Sequence, residues 1–158
     1  KIKTHGGSIR VYIKKGKKIK IENNVKKLLD EEESFGIKKY KTYQDFGNKI
    51  NKLKENVIKN INELKKNNKK IIGFGAPAKA TTALNFFGIT NQIDFIVEDN
   101  KLKHNKFVPG VLIPIKDKKM LKEKNALILV LAWNFYNEIK KNNSNLTNKF
   151  VNIKDLEK

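Results

Sequence analysis

Between Ile71 and Ile89 the chain reads IIGFGAPAKATTALNFFGI, which sets Gly73, Gly75 and Ala76 just ahead of Lys79, Thr81 and Thr82. These residue types in this order suit the binding of an anion. Glycines let a backbone turn sharply at the end of a strand, and the helix that follows opens with unpaired N–H groups and the positive end of its dipole. Lys79 adds a cation and Thr81 and Thr82 add hydroxyl donors, so a phosphate is the expected occupant. Gly73-x-Gly75-x-x-Ala78 is also a shortened dinucleotide fingerprint, with the stretch from Asp94 to Asp99 at about the spacing where a ribose-binding acid is expected. The same glycines would equally serve a strand-to-helix turn that binds nothing.

The elements that must position these residues follow from the pattern around them. Ile71 and Ile72 read as the end of a buried parallel strand, and Pro77 suits the first turn of a helix continuing through Leu84 and Phe87. A second strand is expected over Ile93 to Val97, closing on Glu98, Asp99 and Asn100, and a third over Ala126 to Ala132, closing on Trp133 and Asn134. In an open parallel sheet ligands gather at the carboxyl ends of the strands, so Gly73 to Ala76, Glu98 to Asn100 and Trp133 to Asn134 should converge there. Each has a plainer reading as well: Glu98 and Asp99 as a solvated loop, Trp133 as a packing residue, Asn134 as a helix cap.

Outside this core, Ser8 to Ile13 alternates toward Ile9, Val11 and Ile13 like a strand, and Val25, Leu28 and Leu29 mark a short amphipathic helix ended near Gly36. Tyr43, Phe46, Ile50, Leu53, Val57, Ile61 and Leu64 then recur at helical spacing and predict a long helix packed across a sheet or against a neighbouring domain. Lys103 to Lys106 reads as irregular, Pro109-Gly110 as a turn, Val111 to Ile115 as a short extended piece, and Met120 with Leu121 as a small helix. A helix from about Phe135 to Lys141 and a strand from Phe150 to Ile153 complete a β-α-β order. The fold class is therefore α/β: a Rossmann-like, mainly parallel sheet flanked by helices and preceded by an opening strand and a long amphipathic helix. Residues 1–69 hold the opening strand and helices, and residues 70–158 hold the β-α-β core, in a single domain.

Composition narrows the function. With 158 residues, 39% of them apolar, one well-cored domain is expected. No apolar run is long enough for a membrane helix, no signal peptide opens the chain, and the absence of cysteine removes disulfides and a thiolate zinc site; a cytoplasmic protein is expected. The net charge of +19 is carried by lysines spread along the length in company with asparagines, with Arg10 the single arginine. That distribution is compositional and argues against nucleic acid or a membrane surface as partner, while leaving the charge free to recruit an anionic substrate. Because the chain starts at Lys1 with a strand-like pattern, it is expected to be a piece of a longer polypeptide.

Four blocks together resemble the C-terminal domain of S-adenosylmethionine-dependent sugar C-methyltransferases of deoxysugar-nucleotide pathways. They are Thr4-His5-Gly6-Gly7-Ser8-Ile9-Arg10-Val11-Tyr12 at the opening, GFGAPAKATTALNFFGI at the glycine turn, Pro109-Gly110 with Ile113-Pro114-Ile115, and LVLAWNF from Leu129 to Phe135. The pattern departs at Ala80-Thr81, where the family has Gly-Asn, and at Lys101, where it has proline. The resemblance implies a three-part enzyme: a cysteine-rich zinc-binding N-terminal domain, a central domain that holds S-adenosylmethionine, and this domain facing a nucleotide diphosphate sugar. Zinc and S-adenosylmethionine would both be bound by parts absent from this chain, and those upstream domains would be its partners. The implied base that removes a sugar proton is a histidine in a Tyr-x-Glu-His stretch upstream, which this chain lacks.

The implied substrate-binding set is Gly73, Gly75, Ala76, Lys79, Thr81, Thr82, Glu98, Asn100, Trp133 and Asn134. Lys79 would pair with phosphate, the backbone of Gly75 and Ala76 would donate to the same group, and Glu98, Asn100 and Asn134 would address hydroxyls. His5 is the one candidate for direct chemistry here, since histidine titrates near neutrality, but its place in the opening block points to a lining or local role; His104 reads as a loop residue. Two other classes remain at this point: a dinucleotide-binding oxidoreductase-like domain, and a non-catalytic interaction module using the striped helix.

Overall fold

A computed structural model describes residues 1–2, 7–16, 20–67, 70–122 and 125–158. They divide into two compact units, Lys1–Asp45 and Phe46–Lys158.

In the first unit helix α1 (Asn23–Phe35) stops at Gly36, whose φ of 81° lies in the left-handed region and whose N–H donates to the carbonyls of Glu32 and Glu33. The Thr42 hydroxyl donates to Gly36 O at 2.8 Å, which ties this cap to the following helix, and Lys1 pairs with Glu31. The expected strand over Ser8–Ile13 does not form. Ser8 makes a single antiparallel bridge with Ile2, and Ile9, Val11 and Ile13 are exposed. Alternation alone cannot hold a strand that has no neighbour to satisfy its backbone and cover its apolar row. Thr4, His5 and Gly6 of the opening block lie outside the described residues.

Helix α2 (Tyr40–Asn67) is the long helix that the apolar spacing predicts. Its stripe is put to use in its second half, where Val57 and Ile61 are buried and Leu53 and Leu64 pack beside them, while Tyr43 and Phe46 stay exposed. In the second unit the remaining elements are β1 (Ile71–Phe74), α3 (Ala78–Phe87), β2 (Phe95–Glu98), β3 (Lys106–Phe107), β4 (Pro114–Asp117), β5 (Leu127–Val130), α4 (Tyr136–Asn142) and β6 (Phe150–Asn152). They form a six-stranded sheet in the order β3-β4-β2-β1-β5-β6, parallel throughout except for the short edge strand β3. The Rossmann-like α/β arrangement expected from the alternating pattern is thus what the chain adopts.

Strand residues alternate strictly between two cores. Ile71, Ile96, Leu127, Leu129 and Leu131 face one side with Ala80 and Leu84 of α3 and Val57 and Ile61 of α2. Ile72, Phe74, Phe95, Val97, Ile128 and Val130 face the other, where Tyr136 and Ile139 of α4 cover them. Burial on both faces explains why these strands read as continuous apolar runs and not as apolar-polar alternation. Because α3 lies on one face and α4 on the other, the connections leaving β1 and β5 diverge, which opens a crevice between those adjacent strands at their carboxyl ends.

The amino end of the sheet is closed by Asp94. Its carboxylate accepts from the Ile71 N–H at 2.9 Å and from Lys65 Nζ of α2 at 2.7 Å, and its own N–H donates to Ile71 O. Burial raises its carboxyl pKa, but these donors outweigh burial and hold it below the ordinary value. Asp94 is therefore a fastening between α2, β1 and the start of β2, at the opposite end of the sheet from the ligand crevice.

At the far side of α3, Asn85 Nδ2 donates to the carbonyls of Thr81 and Pro109, and the turn that follows approaches so closely that a Cβ on Gly110 would sit 1.9 Å from Asn85 Oδ1. Gly110 also has a φ of 86°. No described helix is long and apolar enough to cross a membrane. We expect Gly110→Ala to lower stability by about 1–2 kcal/mol from the backbone alone, and by more from the clash. Chemical denaturation checks this, and a double variant with Asn85→Ala should recover the clash component but not the backbone component.

Candidate functional site

The glycine turn is tighter than its sequence announces. Gly73 sits inside β1, where an added Cβ would come within 2.7 Å of Ile96 Cγ1, so the central strand depends on its having no side chain. Gly75 has a φ of 84°, and its missing Cβ would lie 2.9 Å from Ala132 Cβ at the end of β5. The two strand ends thus meet nearly backbone to backbone, and Pro77 caps α3 in extended geometry.

The donors expected to cradle a phosphate at this turn are already occupied. Gly75 N–H donates to Val97 O at 2.8 Å, and Ala76 N–H donates to Glu98 Oε2 at 2.8 Å. Lys103 Nζ completes the arrangement, donating to Ala76 O at 2.9 Å and lying 3.5 Å from Glu98 Oε2. The second oxygen, Oε1, accepts from Asn100 N–H at 3.1 Å. Glu98 therefore stands where an anion from solution was expected, with its side chain only 14% exposed. Burial raises its pKa, but the amides of Ala76 and Asn100 and the ammonium of Lys103 prevail and hold the carboxyl below its ordinary range.

His104 secures the same loop: its Nε2 lies 2.7 Å from Glu98 O, and its Nδ1 lies 3.8 Å from Asp117 Oδ2. It fastens the end of β2 to the end of β4. Among the described residues no three His, Cys, Asp or Glu side chains converge to hold a metal ion.

Beside the turn lies a crevice of about 390 Å³, walled by Phe74, Gly75 and Pro77 at β1, by Glu98 and Asp99 at β2, by Ala132 at β5, and by one face of α4. Of the residues that sequence reasoning assigned, Gly75 and Glu98 line it. Lys79, Thr81 and Thr82 belong to the first turns of α3 beside Pro77: Lys79 is exposed and has no hydrogen-bond partner among the described residues, while the Thr82 hydroxyl donates to Ala78 O at 3.3 Å. The Ala78 and Lys79 amides, as first-turn donors of α3, have no acceptor within the helix.

Asn100 caps a short 3-10 turn, its Oδ1 accepting from Leu102 N–H at 3.0 Å. Trp133 is half-buried and packs on the α2 and α3 side of the sheet, and Asn134 is exposed in the 3-10 turn Trp133–Phe135 without capping α4. Sequence reasoning missed Lys103 and Lys118, on turns after β2 and β4, and Phe135, Glu138, Ile139 and Asn142 on or before α4, all of which line the crevice. The signal for Lys103 was its spacing from Glu98; for α4 it was the i, i+3, i+4 recurrence of Phe135, Glu138 and Ile139, which marks one helical face.

A group whose folded pKa is depressed contributes stability that is full above its unfolded value and is lost as pH falls through the folded value. Glu98→Ala should therefore cost about 1–3 kcal/mol at neutral pH, by leaving the Ala76 and Asn100 amides without their acceptor and Lys103 without its counter-charge. The deficit relative to the parent should shrink as pH falls below the ordinary carboxylate range. Denaturation at a series of pH values measures both effects.

Residues 3–153 match the C-methyltransferase C-terminal domain family. Over 138 residues the chain is 30% identical to the C-methyltransferase NovU of Streptomyces niveus, an alignment covering 85% of this chain and 33% of that protein. The chain thus spans about a third of the length of that curated relative. The chain belongs to the C-methyltransferase C-terminal domain family.

Proposed function

We propose that this domain presents a nucleotide diphosphate sugar to the methyl-transfer centre of an S-adenosylmethionine-dependent C-methyltransferase acting on a keto-deoxysugar nucleotide. The observation that carries the reading is the crevice at the carboxyl edge of β1, β2 and β5, which Pro77 at the start of α3 lines, with the exposed Lys79 two residues further along that helix. Phosphate would be received by Lys79 and the first-turn amides of α3, with Thr81 at hand, and the net charge of +19 would draw the anion in. Gly73, Gly75 and Ala76 would shape the floor of the site, because their close packing and engaged amides leave them few donors to offer.

The chemistry itself belongs elsewhere in such an enzyme. A general base must be able to take a proton near neutral pH, and Glu98 is held ionised by donors on both of its oxygens while His104 is bound into the loop. His5 lies outside the described residues. Bound S-adenosylmethionine supplies an electrophilic methyl group, but the residues described here do not fit that cofactor: the acid at the end of β2 that would hold a ribose has both oxygens engaged. The same observation disfavours a dinucleotide. We place cofactor, base and zinc in upstream parts of the polypeptide, and the reaction in the cytoplasm.

Calorimetric titration at two salt concentrations tests this reading. The protein should bind a thymidine diphosphate sugar saturably at both, and NAD at neither. Lys79→Ala should weaken nucleotide-sugar binding by about 1.5–3 kcal/mol, the range of a charge-assisted hydrogen bond. Binding of NAD, or only of polyanions at low salt, would overturn the proposal.

A further inference from the structure

The wall of the crevice formed by α4 carries groups with no assigned task. Phe135 is 60% exposed at its mouth although it is a large apolar ring, and Ile139 continues the apolar surface inward. Glu138 is an exposed carboxylate in the first turn of α4. A capping-box glutamate there would accept from the amide of the residue before the helix, but Phe135 N–H already donates to Ala132 O at 2.9 Å, so Glu138 is not engaged in that way.

Across the crevice Asp99, with its side chain 70% exposed, is separated from Lys118 Nζ by 4.0 Å, the outer limit of an ion pair. The Lys118 ammonium also lies 5.5 Å from the Phe74 ring. Asn142 adds an amide. By contrast Glu98 and Lys103 neutralise each other. The groups left around the exposed ring are therefore two carboxylates, one ammonium and one amide, with Asp99 and Lys118 only loosely paired to each other.

That set does not suit a phosphate, because its carboxylates would oppose one. It suits a ligand rich in hydroxyl groups. Carboxylates accept from hydroxyls, an ammonium and an amide donate to their oxygens, and the C–H face of a pyranose ring packs on an aromatic surface.

We infer that the α4-side crevice is the subsite for the hydroxyl-bearing ring of the ligand, with Phe135 as its apolar platform and Glu138, Asp99 and Lys118 as its polar contacts. The inference rests on the nucleotide-sugar reading and divides the labour within it. Phosphate goes to the α3 side of β1, and the sugar ring goes to the α4 side. The residues that address the ring are then Glu138 and Asp99 in place of Asn134, which lies outside the crevice, and Asn100, which caps its own turn.

The test compares the affinities of thymidine diphosphate glucose and thymidine diphosphate for the protein and for Phe135→Ala and Glu138→Ala, both exposed positions. The protein should bind the sugar-bearing ligand more tightly, and each variant should lose most of that advantage, by roughly fivefold or more for one hydrogen bond or stacked face. Thymidine diphosphate affinity should stay unchanged in both variants. Saturation transfer from the protein to a methyl glycoside is measured alongside and should be lost in Phe135→Ala.

Variants that retain the full difference between the two ligands would overturn the inference while leaving the nucleotide-sugar reading intact. An equal loss for both ligands would also overturn it, since the wall would then serve the nucleotide. Transfer to the glycoside that depends on Phe135, in a protein that binds no nucleotide, would keep the subsite and sink the nucleotide-sugar reading. No binding of any of these ligands would overturn both.

Discussion

The carboxylate of Glu98, held against the glycine turn, is the interaction on which the geometry of this site depends. It accepts from the Ala76 amide at the end of β1, from the Asn100 amide in its own loop and from Lys103, which returns to the Ala76 carbonyl. A single half-buried acid thus ties the ends of two parallel strands and the following loop into one piece. The arrangement satisfies amides that would otherwise be open to solution, and an internal anion in this place disfavours an external one. The crevice is defined by what this cluster leaves over: the start of α3 on one side, and the surface between Lys118 and α4 on the other.

Close packing makes the cluster possible. Neither Gly73 nor Gly75 has room for a Cβ, the first because of Ile96 and the second because of Ala132, so β1 is pressed between its neighbours along its final turn of chain. The two apolar cores above and below the sheet then fix α3 and α4 on opposite faces, and their divergence from adjacent strands opens the space a ligand would enter. At the other end Asp94 performs for β1 and α2 what Glu98 performs for the site, using the same combination of a backbone amide and a lysine.

Much of this was legible in the sequence because it depends on local pattern. The glycine turn, α2, the order of β1, α3, β2, β5, α4 and β6, and the stop of α1 at Gly36 all follow from periodicity and from positions that require glycine. What was not legible depends on neighbours. Ser8 to Ile13 has the alternation of a strand but forms no strand ladder among the described residues, only the bridge of Ser8 with Ile2, while Lys106 and Phe107 have no alternation and form β3 because β4 offers them an edge. The position of Glu98 was readable and its occupation was not, since nothing in the spacing says whether an acid at a strand end faces a ligand or turns back on the preceding amide. The role of the α4 face was hidden for the same reason: Phe135 and Glu138 acquire meaning only once the helix is known to border the crevice.

The central claim is that ligand engages the carboxyl edge of the sheet, around a Glu98 cluster that stays in place. Amide hydrogen exchange with and without a saturating thymidine diphosphate sugar tests it most directly. The account predicts added protection at Ala78 to Thr81, Asp99 to Lys103, Lys118 and Ala132 to Asn142, with the Gly75 and Ala76 amides protected to the same degree in both states. Protection confined to other parts of the chain would contradict it, and so would large new protection at Gly75 and Ala76, which would mean that the ligand displaces Glu98 and takes the turn for itself.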